Sequence, residues 1–194
     1  MNTAYKLHGI HRHYEWGGQS FIPQLMHVDN AIGKPFAEYW MGAHPSAPAM
    51  VATAEGAKTL DHMIQENKLE FLGASIAAQF GTLPYLFKIL DVEKMLSIQV
   101  HPSKENAEKG FLKEQLAGVP LDAAHRNYKD QNHKPEVMVA LSDFWLLHGF
   151  MPTNALKERL ASLAPLQSLL DVFGLENYAG LYGHFMRLDQ PAAD

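Results

Sequence analysis

The rhythm of polar and apolar positions changes once along this chain, near residue 150. Upstream, short apolar runs are broken by Gly, Pro, Asn and Asp. Downstream, apolar residues recur at helical spacing. The upstream runs predict strands at 36–41, 49–53, 86–90, 96–101, 135–141 and 144–150. Leu60, Met63 and Ile64 share one helical face and predict a short helix over 60–71. Ser103 is a good helix cap, so a helical turn is expected through Ala107, ended by Gly110, with 111–117 as a second turn. Residues 120–132 read as loop. Downstream, Leu156, Leu160 and Leu163 mark a helical face, Pro165 interrupts, 166–173 resumes, and 175–186 is a further helix. Many short strands with helices gathered at one end predict a mainly β fold, a β-sandwich or jelly roll over 1–150, followed by an incomplete helical segment over 151–194.

Composition narrows the function classes. At 194 residues the chain is long enough for one well-buried domain, or one plus an appendage. The formal net charge of -5 comes without acidic or basic blocks, so nothing electrostatic favours a nucleic acid or an anionic membrane. A small anionic substrate stays open, because a few local cations hold a phosphate. With no cysteine there is no disulfide, no thiolate metal site and no cysteine nucleophile. The first residues lack an apolar core of signal-peptide length, and no apolar run reaches the roughly 18 residues of a membrane span. The expectation is a soluble, cytoplasmic protein.

The most informative stretch is Ser97-Ile98-Gln99-Val100-His101. Strand side chains alternate between faces, so Ser97, Gln99 and His101 would share one face and Ile98 and Val100 the other. By the same logic Lys134 and Glu136 share a face, opposite Val137 and Val139. If both strands line one barrel, Gln99, His101 and Glu136 converge with Lys134 beside them. An imidazole nitrogen with a carboxylate oxygen is a plausible zinc environment, and a neutral Gln oxygen leaves the ion electrophilic. The competing reading is an ordinary solvated strand face. No dinucleotide, P-loop, HExxH, GxSxG or EF-hand pattern is present. His8, His11 and His13 read as surface residues, and Trp16-Gly17-Gly18 as a tight turn with a packed indole.

These stretches resemble the type I phosphomannose isomerases. The likeness runs from about Tyr14 to about Met186. It is carried in order by the segments 14–18 (YEWGG), 37–46 (AEYWMGAHPS), 83–90 (LPYLFKIL), 96–102 (LSIQVHP), 127–130 (NYKD) and 132–136 (NHKPE). The resemblance implies a cupin-like jelly roll with a helical insert, a zinc cofactor, and interconversion of mannose 6-phosphate and fructose 6-phosphate. It places the zinc ligands on Gln99, His101 and Glu136. It puts Trp16, Lys88 and Ser97 in the substrate pocket, with Lys134 beside the reacting oxygens. Ser103 stands where the family often has Asp. The family's fourth zinc ligand, a His, and its catalytic arginine lie beyond the helical insert, where this chain ends; neither His148 nor His184 sits in the right motif to replace that His.

Two further readings stay open at this level. A non-catalytic cupin module would bind a sugar phosphate or a protein partner without chemistry. A plain β-rich domain would leave Gln99, His101 and Glu136 apart. The helical segment, ending with apolar faces, is expected to promote self-association.

Overall fold

The computed structural model describes residues 4–96 and 99–188. They fall into two compact units, Met1–Leu146 and Leu147–Asp194.

The first unit holds two three-stranded antiparallel sheets. One has β1 (Leu7–His8), β4 (Met50–Thr53) and β5 (Gly56–Thr59) in the order β1-β4-β5. The other has β2 (Ile10–Arg12), β3 (Glu38–Met41) and β6 (Phe87–Leu90) in the order β2-β3-β6. The chain leaves the first sheet for the second at Gly9. Its amide donates to the Tyr39 hydroxyl at 2.7 Å, and a Cβ there would stand 2.4 Å from the Trp40 carbonyl oxygen. Only glycine lets the backbone turn that corner.

The register of the second sheet sorts its side chains onto two faces. Ile10 pairs with Trp40, Arg12 with Glu38, Trp40 with Lys88 and Glu38 with Leu90. These residues therefore share one face. His11, Tyr39, Met41 and Ile89 share the other. There Tyr39 packs with Ile22 and Phe36, against Met26, Met41 and Ile89. Ile22 and Met26 belong to α1 (Phe21–Met26), so this helix seals the apolar face and leaves the opposite, polar face for other uses.

The predicted helix over 60–71 is two helices, α2 (Leu60–Glu66) and α3 (Lys68–Gln79). Asn67 breaks them: its side chain accepts from the Glu70 amide at 3.3 Å and donates to the Glu70 carboxylate at 2.7 Å, capping α3. The Ser103 cap is present, accepting from the Asn106 amide at 3.3 Å. The helix it opens, α4 (Lys104–Leu116), runs straight through Gly110. That glycine does not end the helix but makes room, since a Cβ there would lie 2.4 Å from the Tyr128 ring.

The larger departure concerns the strands expected at 135–141 and 144–150. No strand forms there. Val137 is 95% exposed and Trp145 82% exposed. Residues 99–101 of the strand expected at 96–101 are irregular too, and Ser97 and Ile98 lie outside the described residues. Alternation prepares a segment for a sheet, but a ladder needs a partner for its N–H and C=O groups. Among the described residues these segments have none.

The second unit comprises α5 (Thr153–Ser162), a 3-10 turn (Ala164–Leu166) containing Pro165, and α6 (Leu169–Phe185). Leu160, Leu169 and Phe173 form its buried cluster. Leu163, expected on the same helical face, falls just past the end of α5 as its C-cap. The two helices expected over 166–173 and 175–186 are present as two runs within α6, broken at Asn177, φ 58°.

Candidate metal and sugar-phosphate site

The loop from Arg126 to Lys134 is built onto α4. Arg126 is 3% exposed. Its guanidinium donates to the carbonyls of Tyr128 and Val119 and to the Gln115 side chain, and stacks on Phe111 at 4.9 Å. The Glu114 carboxylate accepts from the amides of Asn127 at 3.0 Å and Tyr128 at 2.8 Å, and lies 3.8 Å from Arg126. These amide bonds, chiefly, hold the Glu114 carboxyl below its ordinary pKa. The loop then turns at Asp130, whose carboxylate accepts from the Asn132 amide at 2.7 Å, and Lys104 of α4 ties down the Gln131 carbonyl. A buried arginine and an acid thus fix a segment with almost no regular structure.

Beneath this loop lies a cavity of about 570 Å³, lined among others by His101, Ser103, Asn106, Tyr128, Asp130 and Lys134. At its side His101 Nε2 stands 3.9 Å from Glu136 Oε2. That is too long for a hydrogen bond. It is a separation one ion can span, because ligand atoms about 2.0–2.2 Å from a zinc stand roughly 3–4 Å from each other. A neutral imidazole nitrogen and a carboxylate oxygen suit a divalent ion. Gln99 is exposed, two residues before His101. Among the described residues no group of three His, Asp and Glu side chains gathers at one point.

The polar face of the β2-β3-β6 sheet supplies a second set of groups. Glu38 and Trp40 are buried, and the indole N–H donates to Glu38 Oε2 at 2.7 Å. Lys88 Nζ lies 3.6 Å from Glu38 Oε1 and 4.9 Å from the Trp40 ring centre. The Arg12 guanidinium lies 5.0 Å from the same ring. Arg12 also donates to the Tyr14 hydroxyl at 3.1 Å, and the Tyr14 ring stacks on Trp16 at 5.6 Å. Trp16 sits on the expected turn, where the Gly17 amide donates to the Tyr14 carbonyl at 3.0 Å.

His44 packs edge-on against Trp40 at 5.1 Å. Its pKa is lowered, first by burial; Asp130 pulls it up, while Lys134, Lys88 and Arg12 push it down. Those four charges come from the loop and from the sheet, so His44 lies within the field of both.

Arg12, Glu38, Trp40, His44, Glu114 and Arg126 were not picked out from the chain alone. Glu38 carried a visible signal, a carboxylate alternating with apolar neighbours inside a predicted strand. Glu114 and Arg126 carried none. His11 corrects the surface reading of the three early histidines. His8 and His13 are exposed, but His11 is half-buried, with its ring 5.0 Å from Phe36 and 4.7 Å from Tyr39. Its pKa is lowered by burial first, then by His13 and Lys34.

No helix among the described residues is long and apolar enough to cross a membrane. Residues 4–153 match the family described as phosphomannose isomerase type I, catalytic domain. Among curated relatives, the mannose-6-phosphate isomerase of Salmonella typhimurium is 43% identical over 163 residues, covering 84% of this chain and 42% of that protein. The Escherichia coli enzyme is 44% identical over 154 residues, covering 79% and 39%. This chain therefore spans about two-fifths of the length of these relatives. A crystal structure of the Salmonella enzyme bound to fructose 6-phosphate and zinc superposes with a TM-score of 0.84 at 38% identity, over 95% of this chain and 48% of that one. A mannose 6-phosphate isomerase bound with zinc and yttrium gives 0.83 at 37%, over 95% and 48%. The two antiparallel sheets and their helices thus reproduce the cupin-like fold of those structures, and the chain belongs to the type I phosphomannose isomerase family.

Proposed function

We propose that this chain carries the zinc- and substrate-binding part of an aldose–ketose isomerase that interconverts mannose 6-phosphate and fructose 6-phosphate. The observation that supports it most is the approach of His101 to Glu136 at 3.9 Å, beside a cavity that also receives Lys134. In this reading His101 and Glu136 hold the ion, with Gln99 as the neutral third donor. Zinc, when bound, supplies Lewis acidity next to the C1 and C2 oxygens of the sugar.

The remaining groups bind and orient. Isomerisation moves a proton between adjacent carbons, so negative charge develops on the sugar oxygens. Lys134 places a cation on the cavity wall, where it stabilises that charge. Lys88 supplies a cation on the sheet's polar face for the phosphate or a sugar hydroxyl, with Ser97 as a partner for the same groups. Trp16, stacked on Tyr14, offers a flat apolar wall for the sugar ring.

The first test is zinc content and affinity of the purified chain beside Glu136→Ala. One zinc per chain that the variant loses, with affinity lower by at least about 10-fold, is the expected result. Equal zinc in both proteins sinks the assignment. Little or no turnover of mannose 6-phosphate by this chain alone, gained when it is extended with the remaining part of a relative, then separates the enzyme from a non-catalytic cupin module, which would bind fructose 6-phosphate and leave it unchanged in both.

Self-association belongs to the same reading. Leu175 and Met186, exposed in the second unit, support it. Sedimentation at rising concentration tests it, and a monomer throughout would dismiss it.

A further inference from the structure

Glu38 is a buried carboxylate, 7% exposed, on the central strand of its sheet. A charge in that position needs partners, because desolvation is costly. It has two on its own face. One oxygen accepts the Trp40 indole N–H at 2.7 Å. The other faces the Lys88 ammonium at 3.6 Å. Register enforces the meeting: Trp40 lies directly across from Lys88, and Glu38 is two residues before Trp40 on the same strand.

The 3.6 Å separation is informative. It is an ionic distance, longer than a hydrogen bond, so the carboxylate holds the ammonium without consuming its three N–H donors. The Trp40 ring, 4.9 Å below, holds it from a second direction by a cation–π contact that also leaves the donors free. Arg12 crowds the same ring at 5.0 Å and pairs across the sheet with Glu38. Two cations on one indole repel each other, and Glu38 is the negative charge on that face that offsets the repulsion. This arrangement keeps a lysine fixed in place with its donors unspent.

We infer that Glu38 is a positioning residue, acting with Trp40 to hold the Lys88 ammonium ready for the anionic group of the substrate. The inference rests on the proposed role of Lys88 and goes beyond it. It assigns a function to a carboxylate that itself repels the substrate's phosphate.

The experiment is fructose 6-phosphate titration of the zinc-loaded chain and of Lys88→Ala and Glu38→Gln, with NMR of the Lys88 ε-methylene. Gln keeps an oxygen for the indole N–H but loses the charge. The indole ring current is expected to shift the ε-methylene upfield in the parent. In Glu38→Gln that shift is expected to collapse towards the value of a free lysine, and affinity to fall on the order of 10-fold, in the same direction as Lys88→Ala. An unchanged ring-current shift and unchanged affinity in Glu38→Gln would overturn the inference and leave Glu38 as a partner for the indole alone. Lack of fructose 6-phosphate binding by the parent, or undiminished binding by Lys88→Ala, would instead defeat the role of Lys88. The ring-current shift would still decide whether Glu38 holds the ammonium. Should Glu38→Gln not fold, Glu38→Asp, which leaves the indole in place but draws the charge back by one methylene, is read by the same two measurements: a partial collapse of the shift with weaker binding supports the inference, and no change in either overturns it.

Discussion

The sheet β2-β3-β6 and the segment 135–141 begin from similar patterns and end differently. Both are apolar runs with a lysine and a glutamate assigned to one face, Lys88 with Glu38 in the sheet and Lys134 with Glu136 at the head of the segment. In the sheet, β3 has a ladder partner on each side, so Tyr39 is buried in one direction and Glu38 and Trp40 in the other. In 135–141 no ladder forms among the described residues, and Val137 and Val139 are exposed. Alternation therefore encodes readiness for a sheet, and burial follows only from a partner strand. The consequence for chemistry is direct. Lys88 is held between a carboxylate and an indole, whereas Glu136 is more than half exposed and meets one designated partner at 3.9 Å.

That contrast can be broken most forcefully in the core. Tyr39→Ala removes a buried ring and the hydroxyl that receives the Gly9 amide at 2.7 Å. Urea unfolding is expected to show a loss of about 3–5 kcal/mol. A loss under 1 kcal/mol would mean that the sheet does not organise the first unit.

Next comes the support of the loop. Gly110→Ala puts a methyl group into the space of the Tyr128 ring. A loss of about 1–3 kcal/mol is expected, together with movement of the 127–134 resonances. An Ala variant as stable as the parent, with those resonances in place, would separate the loop from α4.

A smaller effect concerns pH. The folded pKa values of His11 and His44 lie below the 6.5 of the unfolded chain, burial being the first cause for both. Below pH 6.5 the unfolded state binds more protons, so stability is whole above that value and declines as pH falls towards the lowered folded values. Urea midpoints between about pH 5 and 7.5 are expected to rise with pH, less steeply in His44→Gln. Equal slopes in both proteins would remove His44 from the account. The Glu114 carboxyl, lowered by the Asn127 and Tyr128 amides, contributes stability that is present above its unfolded pKa of 4.5 and is lost on further acidification through its folded value.

The smallest effect lies in the irregular segment. Val137→Ser is expected to stay within about 0.5 kcal/mol of the parent, because the side chain is already in water. A markedly larger loss would show that this valine is covered in solution and that the two regions are more alike than their exposure indicates.

The sequence by itself determined the local devices. The Ser103 cap, the turn at Trp16, the loop over 120–132 and the strands β3, β4 and β6 all follow from short-range chemistry, namely side-chain capping, glycine freedom and period-two alternation. The ordered motifs also determined the family, because each segment is short but their order is specific. Tertiary structure decided what depends on distant partners. It carried α4 through Gly110 to admit Tyr128, and left 135–150 without a ladder. It also buried Arg126 and Glu38, two charges that were not singled out from the chain alone. A cap or a turn is satisfied by neighbours within four residues, so it is written in the sequence. A buried charge is tolerable only where remote groups converge on it, and that convergence exists only in the fold.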